Sequence, residues 1–264
     1  MLGDGLDSTW ILQRLCERYE HPAEVAAYTE QVTEGLRPEE EAALARWLPT
    51  PCRVLDLGCG AGREAFVLAE RGYQVVAADI SQAMVEKTRQ LAMERGLELA
   101  VVWMEDPLYI PAPTAAFDGV LGLAQLLSQI PRRRGRVALL KEVCRVLVTT
   151  GVFIGTVADR QAASDLCGDE GIAELSPLER AVGWEEGDIW VWQPSAAKID
   201  TALYFHLHTP GEISWELRQA GLRLRELRMA NELAAHPSTD AYRYRFIVVG
   251  KRHKEISREN RGNS

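Results

Sequence analysis

Three features of the sequence predict an α/β fold built on a doubly wound, mostly parallel sheet. Residues Val54 to Phe66, VLDLGCGAGREAF, run from an apolar strand through a glycine-rich turn into a helix. Beyond that turn, strand-like and helix-like segments alternate as far as Val157, the rhythm of crossover helices between parallel strands. Acids stand at or just past the ends of the first three strands (Asp56, Asp79, Glu105), the side on which open α/β sheets bind ligands.

At 264 residues the chain is long enough for one large domain with a well-buried core. No apolar run is long enough to span a bilayer. The N-terminal stretch MLGDGLDSTWILQRL lacks the basic region, apolar core and small-residue cleavage site of a secretory leader, so a cytoplasmic protein is expected. Cys16, Cys52, Cys59, Cys144 and Cys167 are scattered, with no C-x-x-C pair and no Cys/His ligand spacing. Neither a disulfide framework nor a metal site is therefore expected. A net charge of −8 argues against a sequence-independent nucleic-acid binder, which needs a basic surface.

Trp10 to Tyr19, Pro22 to Leu36 and Pro38 to Leu48 read as helices, forming a cap over residues 1–50. Pro38 and the acids Glu39, Glu40 and Glu41 suit the start of the third. On this cap Tyr19 and Tyr28 have two readings: packing with the hydroxyl outward, or closure over a bound ligand. The helix from Arg63 to Arg71 aims its free N–H groups at the glycine turn, which suits a carboxylate or phosphate. Gln74 to Ala78 is the second strand and ends in Asp79; Ser81 then caps the helix Gln82 to Arg95, and Gly96 stops it. Leu97 to Met104 and Asp118 to Leu123 follow as strands, Pro131 to Leu147 as a helix, and Val152 to Val157 as the fifth strand. The run RRRGR at the start of that helix, with Arg132, Arg133, Arg134 and Arg136, is either an RNA-backbone contact or a solvated helix start.

From Ala158 to Ile199 the rhythm breaks, acids dominate, and Trp184, Trp190 and Trp192 sit close together. Trp190 and Trp192 alternate and share one face of a strand. They belong either to a packed subdomain or dimer surface, or to an aromatic wall for an apolar or cationic substrate. Ala202 to His208 is strand-like, with His206 and His208 on one side. Thr209-Pro210-Gly211-Glu212 opens a helix that Gly221 stops, and Leu222 to Met229 and Arg243 to Gly250 are the last strands. Residues 253–264 are polar and charged, and are expected to be disordered.

Asp56, Gly58, Gly60 and Gly62 form a D-x-G-x-G-x-G pattern. A dinucleotide fingerprint would instead place its third glycine at position 63, which is Arg63. The pattern is similar to motif I of the class I S-adenosylmethionine (SAM)-dependent methyltransferases. Asp79 about twenty residues later, and the run EDPLYIPAPTAAFD with Asp106 and Asp118, extend the resemblance over roughly Tyr28 to Arg252. Through GCGAGREAFVLAERGYQVVAADIS the chain looks most like the small-molecule branch related to quinone and sterol methyltransferases.

The resemblance implies a Rossmann-like, seven-stranded sheet closed by a C-terminal antiparallel hairpin. The core would span 51–158 and 200–252, with residues 159–199 inserted as a substrate lid. It also implies SAM as cofactor and S-adenosylhomocysteine as product, without a metal. On this reading Asp56, Gly58, Gly60 and Gly62 hold the methionine part, Asp79 the ribose and Asp106 the adenine. Tyr28, Cys59, Ile80, Met84, Glu105, Pro107, Leu123 and Ala124 complete the cofactor shell. Pro107 has no N–H to offer the adenine ring, which leaves Met104 and Leu108 as ring packers. Enzymes of this fold that methylate base amines carry N/D-P-P-Y after the fourth strand, where this chain has Leu123-Ala124-Gln125-Leu126. A small-molecule acceptor is expected instead, its nucleophile O, N or C, in a monomer or homodimer. Gln125, Trp184, Trp190 and Trp192 are the acceptor-side candidates. Tyr204, His206 and His208 are the catalytic candidates, the histidines as general base. The alternatives are an RNA methyltransferase using the RRRGR run and a non-catalytic SAM-binding protein.

Overall fold

The computed structural model describes residues 9–162, 185–191 and 203–251. Three helices come first: α1 (Thr9–Tyr19), α2 (Pro22–Gln31) and α3 (Pro38–Trp47). They are followed by β1 (Arg53–Leu57), α4 (Arg63–Glu70), β2 (Gln74–Asp79), α5 (Gln82–Arg95), β3 (Ala100–Trp103), β4 (Phe117–Gly122), α6 (Arg133–Val146) and β5 (Leu147–Ala158). A short hairpin, β6 (Asp188–Val191) and β7 (Leu203–His206), precedes α7 (Pro210–Gln219), β8 (Leu222–Met229) and β9 (Tyr244–Lys251).

The main sheet has seven strands in the order β3-β2-β1-β4-β5-β9-β8, while β6 and β7 pair separately. Strands β1 to β5 are parallel, and β9 runs antiparallel to both β5 and β8. The chain winds outward from β1 to β3 and then crosses to β4. This creates a topological switch point at the carboxyl ends of β1 and β4, where such sheets open a crevice. The expected Rossmann-like architecture with its C-terminal hairpin is therefore the observed one. No helix among the described residues is long and apolar enough to cross a membrane.

Residue alternation explains the layers. Leu55 and Leu57 of β1 pack on the side of Leu139, Leu140 and Val143 from α6 and Ile213 and Leu217 from α7. Val54 packs on the other side, with Leu44 of α3 and Leu68 of α4. Position 56 shares the Val54 face, so that period of two puts an acid on a buried surface at the strand's end. Local signals set the helix ends as expected. Ser81 Oγ accepts from Met84 N at 3.1 Å, and Thr209 and Glu212 form a reciprocal capping box at α7.

One junction departs from expectation. Helix α6 ends at Val146 and β5 begins at the next residue, five positions before the expected start at Val152, so Gly151 lies inside the strand. A Cβ at Gly151 would stand 3.0 Å from Leu147 Cδ2 and 3.1 Å from the Asp118 carbonyl. That close approach accompanies a register shift between Phe117 and Gly119 in the β4–β5 ladder. Most of the expected lid, including Trp184 and Trp192, and the tail at 253–264 lie outside the described residues.

Candidate functional site

The turn between β1 and α4 is tied to β2 by backbone bonds. Gly58 N and Cys59 N both donate to the Ala78 carbonyl, at 2.7 and 3.1 Å. Asp79 completes the bracing: its Oδ2 accepts from Gly60 N at 2.8 Å and its Oδ1 from Ser81 N at 2.9 Å. Burial pushes the Asp79 carboxyl up, and the backbone N–H groups oppose that shift. A carboxylate has about four acceptor sites, so each Asp79 oxygen can still accept a second donor. Gly62 caps α4 in a left-handed conformation, φ +94°, and a Cβ there would lie 2.6 Å from Phe66 Cζ. Gly62→Ala is expected to destabilise the protein by about 1–3 kcal/mol, measured by urea unfolding, because strain and overlap add.

Asp56 is 2% exposed, and its Oδ2 has no hydrogen-bond partner among the described residues. Burial raises its carboxyl well above the usual range, and the neighbouring charge of Glu64 raises it further. Glu64 itself is pushed up to about 6, by burial first, against the pull of Arg63. Arg63 is already engaged: it donates to Glu40 at 2.7 and 2.9 Å and to the Gly35 carbonyl at 2.8 Å. An unpartnered buried acceptor costs about 1–3 kcal/mol. A cationic donor entering beside Asp56 would relieve that cost and favour its ionised form.

Two cavities meet over this turn. One, of about 90 Å³, is mainly apolar and is lined by Leu57, Ile80, Met84, Met104, Pro107 and Leu126 with Asp79 at its edge. The other, of about 430 Å³, holds Asp56, Arg63 and Glu64 on one side and Asp240 and Arg243 on another, under Ile189, Val191 and Phe205. Tyr19, Tyr28, Gly58, Gly60, Leu123, Ala124 and Gln129 line both, so they mark the junction. At that junction the Tyr28 ring lies against Gly60, where a Cβ would come within 3.1 Å of it. Tyr19 and Tyr28 meet edge to face at 5.8 Å, and Tyr19 Oη donates to Gln129 Oε1 at 2.8 Å. Burial raises both phenols, so both hydroxyls stay protonated at neutral pH.

A family model described as a methyltransferase domain matches residues 54–151, the stretch that supplies the turn, Asp79 and the β4 end. A SAM-dependent methyltransferase from Methanosarcina mazei superposes with a TM-score of 0.65 over 83% of this chain and 99% of its own, at 19% identity, and so shares the fold. Residues 54–151 thus match a methyltransferase domain, set in a fold shared with a SAM-dependent methyltransferase. Two curated relatives extend the likeness. The putative methyltransferase YqeM of Bacillus subtilis is 26% identical over 59% of each chain. A ubiquinone biosynthesis O-methyltransferase of Xanthomonas axonopodis is 28% identical over 71% of this chain and 69% of its own. The chain thus spans about three fifths of the length of the first of these relatives.

Tyr28, Asp56, Gly58, Cys59, Gly60, Asp79, Ile80, Met84, Pro107, Leu123, Ala124 and Gln125 all line one or both cavities. Gly62 stands behind the turn as the helix cap. Glu105 and Asp106 are exposed and line neither cavity; Asp106 Oδ1 accepts from Leu108 N at 2.8 Å and closes its own loop. Trp190, 2% exposed, also lines neither, because it stacks on Trp10 at 5.5 Å on the far face of the β6–β7 hairpin. The face toward the larger cavity carries Ile189, Val191 and Phe205. Sequence reasoning missed these three, and the i, i+2 alternation that linked Trp190 to Trp192 was the signal that could have found them.

Tyr204, His206 and His208 are also placed behind the cavity wall, in a buried polar network. Asp188 Oδ1 accepts from Tyr204 Oη at 2.7 Å and lies 2.6 Å from His206 Nδ1. His208 Nδ1 is 3.3 Å from Ser128 Oγ, which accepts from Ala158 N at 2.9 Å. The basic run needs a correction too. Arg136 is neither a solvated helix start nor available to RNA, because it is fully buried and donates to Glu216 and Glu185 at 2.8 Å each. Glu185, Asp188 and His206 bring possible metal-ligating atoms within 4.8 Å of one another. Their oxygens already accept from Arg133 N, Arg136, Tyr204 and Glu185 N.

Proposed function

We propose that this methyltransferase moves a methyl group from SAM to a small-molecule acceptor by in-line displacement, releasing S-adenosylhomocysteine. The observation that carries the reading is the pair of cavities joined over the glycine turn, with the Asp79 carboxylate beside one and the unpartnered Asp56 oxygen in the other. These residues fit the cofactor. Asp79 would accept from the ribose hydroxyls, the apolar cavity would enclose the adenine, and Asp56 with Glu64 would face the α-ammonium. When bound, SAM supplies a methyl already activated on a sulfonium.

What remains for the protein is alignment and the exclusion of water. Tyr19 and Tyr28 cover the junction, and Gln129 fixes the first of them. His206, beside Asp188, and His208, beside Ser128, line neither cavity, and on this reading they brace the wall instead of taking a proton from the acceptor. The ubiquinone O-methyltransferase relative supports a small-molecule acceptor, and the burial of Arg136 weakens the RNA alternative.

Thermal unfolding with SAM, S-adenosylhomocysteine and NAD tests the reading. A ligand at a hundredfold excess over its Kd adds about 2.7 kcal/mol, which for a domain of this size moves the midpoint by roughly 5–10 °C. Shifts with the first two ligands and not with NAD are expected. A shift with NAD alone would overturn the cofactor assignment. If S-adenosylhomocysteine binds and no acceptor in a broad small-molecule screen is methylated, the non-catalytic alternative gains.

A further inference from the structure

The larger cavity contains three arginines, and they are not equivalent. Arg63 is neutralised by Glu40 and Glu64. Arg37 Nη1 donates to both oxygens of Asp240, at 3.1 and 2.9 Å. Arg243 has no carboxylate partner among the described residues. Its Nε donates to Tyr242 Oη at 3.0 Å, and its guanidinium lies over the Tyr242 ring, 5.3 Å from the centroid. Those two contacts hold the plane of the group and leave both Nη atoms without a protein acceptor among the described residues. A fixed guanidinium fork of this kind matches an oxyanion with two parallel N–H bonds.

Position decides which ligand supplies the anion. Arg243 immediately precedes β9, and β4 and β5 lie between β9 and the strand that carries the glycine turn. Three strand spacings amount to about 14 Å. On the proposed reading the methionine part of a cofactor seated on Gly58 and Gly60 would lie beside Asp56 and Glu64, which line the same cavity. Ile189, Val191 and Phe205 give the same cavity an apolar wall. Asp240 and Glu34 line the same cavity, and their charge disfavours a dianion there.

We propose that the methyl acceptor is an amphipathic monocarboxylate, its apolar body against Ile189, Val191 and Phe205 and its carboxylate on the Arg243 fork. The assignment rests on the methyltransferase reading of this site.

Calorimetry on the protein saturated with S-adenosylhomocysteine tests it, using 4-phenylbutyrate, its uncharged amide and the corresponding phosphate ester as probes. The wild type is expected to bind the carboxylate more tightly than the amide, on the order of tenfold to a hundredfold. Arg243→Gln should abolish that preference and leave the affinity for S-adenosylhomocysteine unchanged, which also reports that the variant is folded. Arg243→Lys, which keeps the charge and loses the fork, should fall between. Equal binding of acid and amide, binding of neither, or a preference for the phosphate ester would overturn the proposal. So would an equal loss of S-adenosylhomocysteine affinity in Arg243→Gln, which would assign the fork to the cofactor. Failure of the wild type to bind S-adenosylhomocysteine would remove the cofactor reading and this proposal together, whereas the other outcomes remove only this one.

Discussion

Arg136→Met is expected to destabilise the protein by about 3–5 kcal/mol, the usual cost of removing one partner from a buried ion pair. Arg136 is fully buried, and so is Glu216. The guanidinium spans α7 through Glu216 and the segment before β6 through Glu185. Three carboxylates, Glu185, Glu216 and Asp188, share this region, and burial pushes the His208 imidazole down to about 4, so His208 is neutral at pH 7. Burial opposes ionisation of Glu216, yet its carboxyl is held below the usual range by the His208 ring beside it, 3.7 Å away, and by the charge of Arg136. Taking the cation away leaves that carboxylate charged and unpaired, or forces it to take up a proton. Met is close to the right length and lacks the charge, so the loss measures pairing more than cavity formation. Urea unfolding should show a lower midpoint, and the thermal midpoint should fall by on the order of 10 °C. Adding Glu216→Gln to the same chain should recover about 1–3 kcal/mol, because the second change removes the stranded charge. A cost under about 1 kcal/mol for Arg136→Met would place this pair with exposed salt bridges in its contribution.

The contrast between Arg136 and the glycine turn explains what could be read in the sequence. The turn, Asp56, Asp79, Ser81 and the α7 capping box depend on neighbours within a few residues, or on one strand-to-strand step. Their chemistry is written locally, and the structure places them where the residue types require. Arg136 meets Glu216 and Glu185 only because α6, α7 and the inserted segment pack together, 80 and 49 positions apart in sequence. Within RRRGR nothing separates it from its neighbours except helical phase. The same limit applies to the hairpin. Alternation assigns Trp190 and Tyr204 to one face and Ile189 and Phe205 to the other, but the face that fronts a cavity depends on where α1 packs. Trp10 of α1 takes the tryptophan face. Asp106 shows the opposite case, since the expected acid is present in sequence order but satisfies its own loop, while Met104 and Pro107 beside it face the cavity.

Asp79→Ala is expected to weaken S-adenosylhomocysteine binding on the order of a hundredfold or more, since hydrogen bonds to a charged group contribute about 1.5–3 kcal/mol each. The same carboxylate accepts from Gly60 N and Ser81 N and so shapes the turn on which the cofactor would lie. Two mechanisms would therefore give one loss. Removing the carboxylate deprives the ribose hydroxyls of an acceptor, and it also frees the backbone at Gly60. A ligand change separates them. The 2′-deoxy analogue lacks one of the donors Asp79 would accept, so it should bind the wild type more weakly than S-adenosylhomocysteine does. Against Asp79→Ala, where the acceptor is gone, the two ligands should bind with nearly equal affinity. If calorimetry instead finds the same ratio between the ligands in both proteins, Asp79 acts on the cofactor only by bracing the turn. Asp79→Asn sharpens the distinction. Its single amide oxygen can serve one of the two backbone donors, while its NH2 group meets the other donor head-on, so part of the bracing is kept and part is lost. An asparagine variant that still distinguishes S-adenosylhomocysteine from its 2′-deoxy analogue, where the alanine variant does not, would owe that ratio to hydrogen bonds with the ribose and not to the turn.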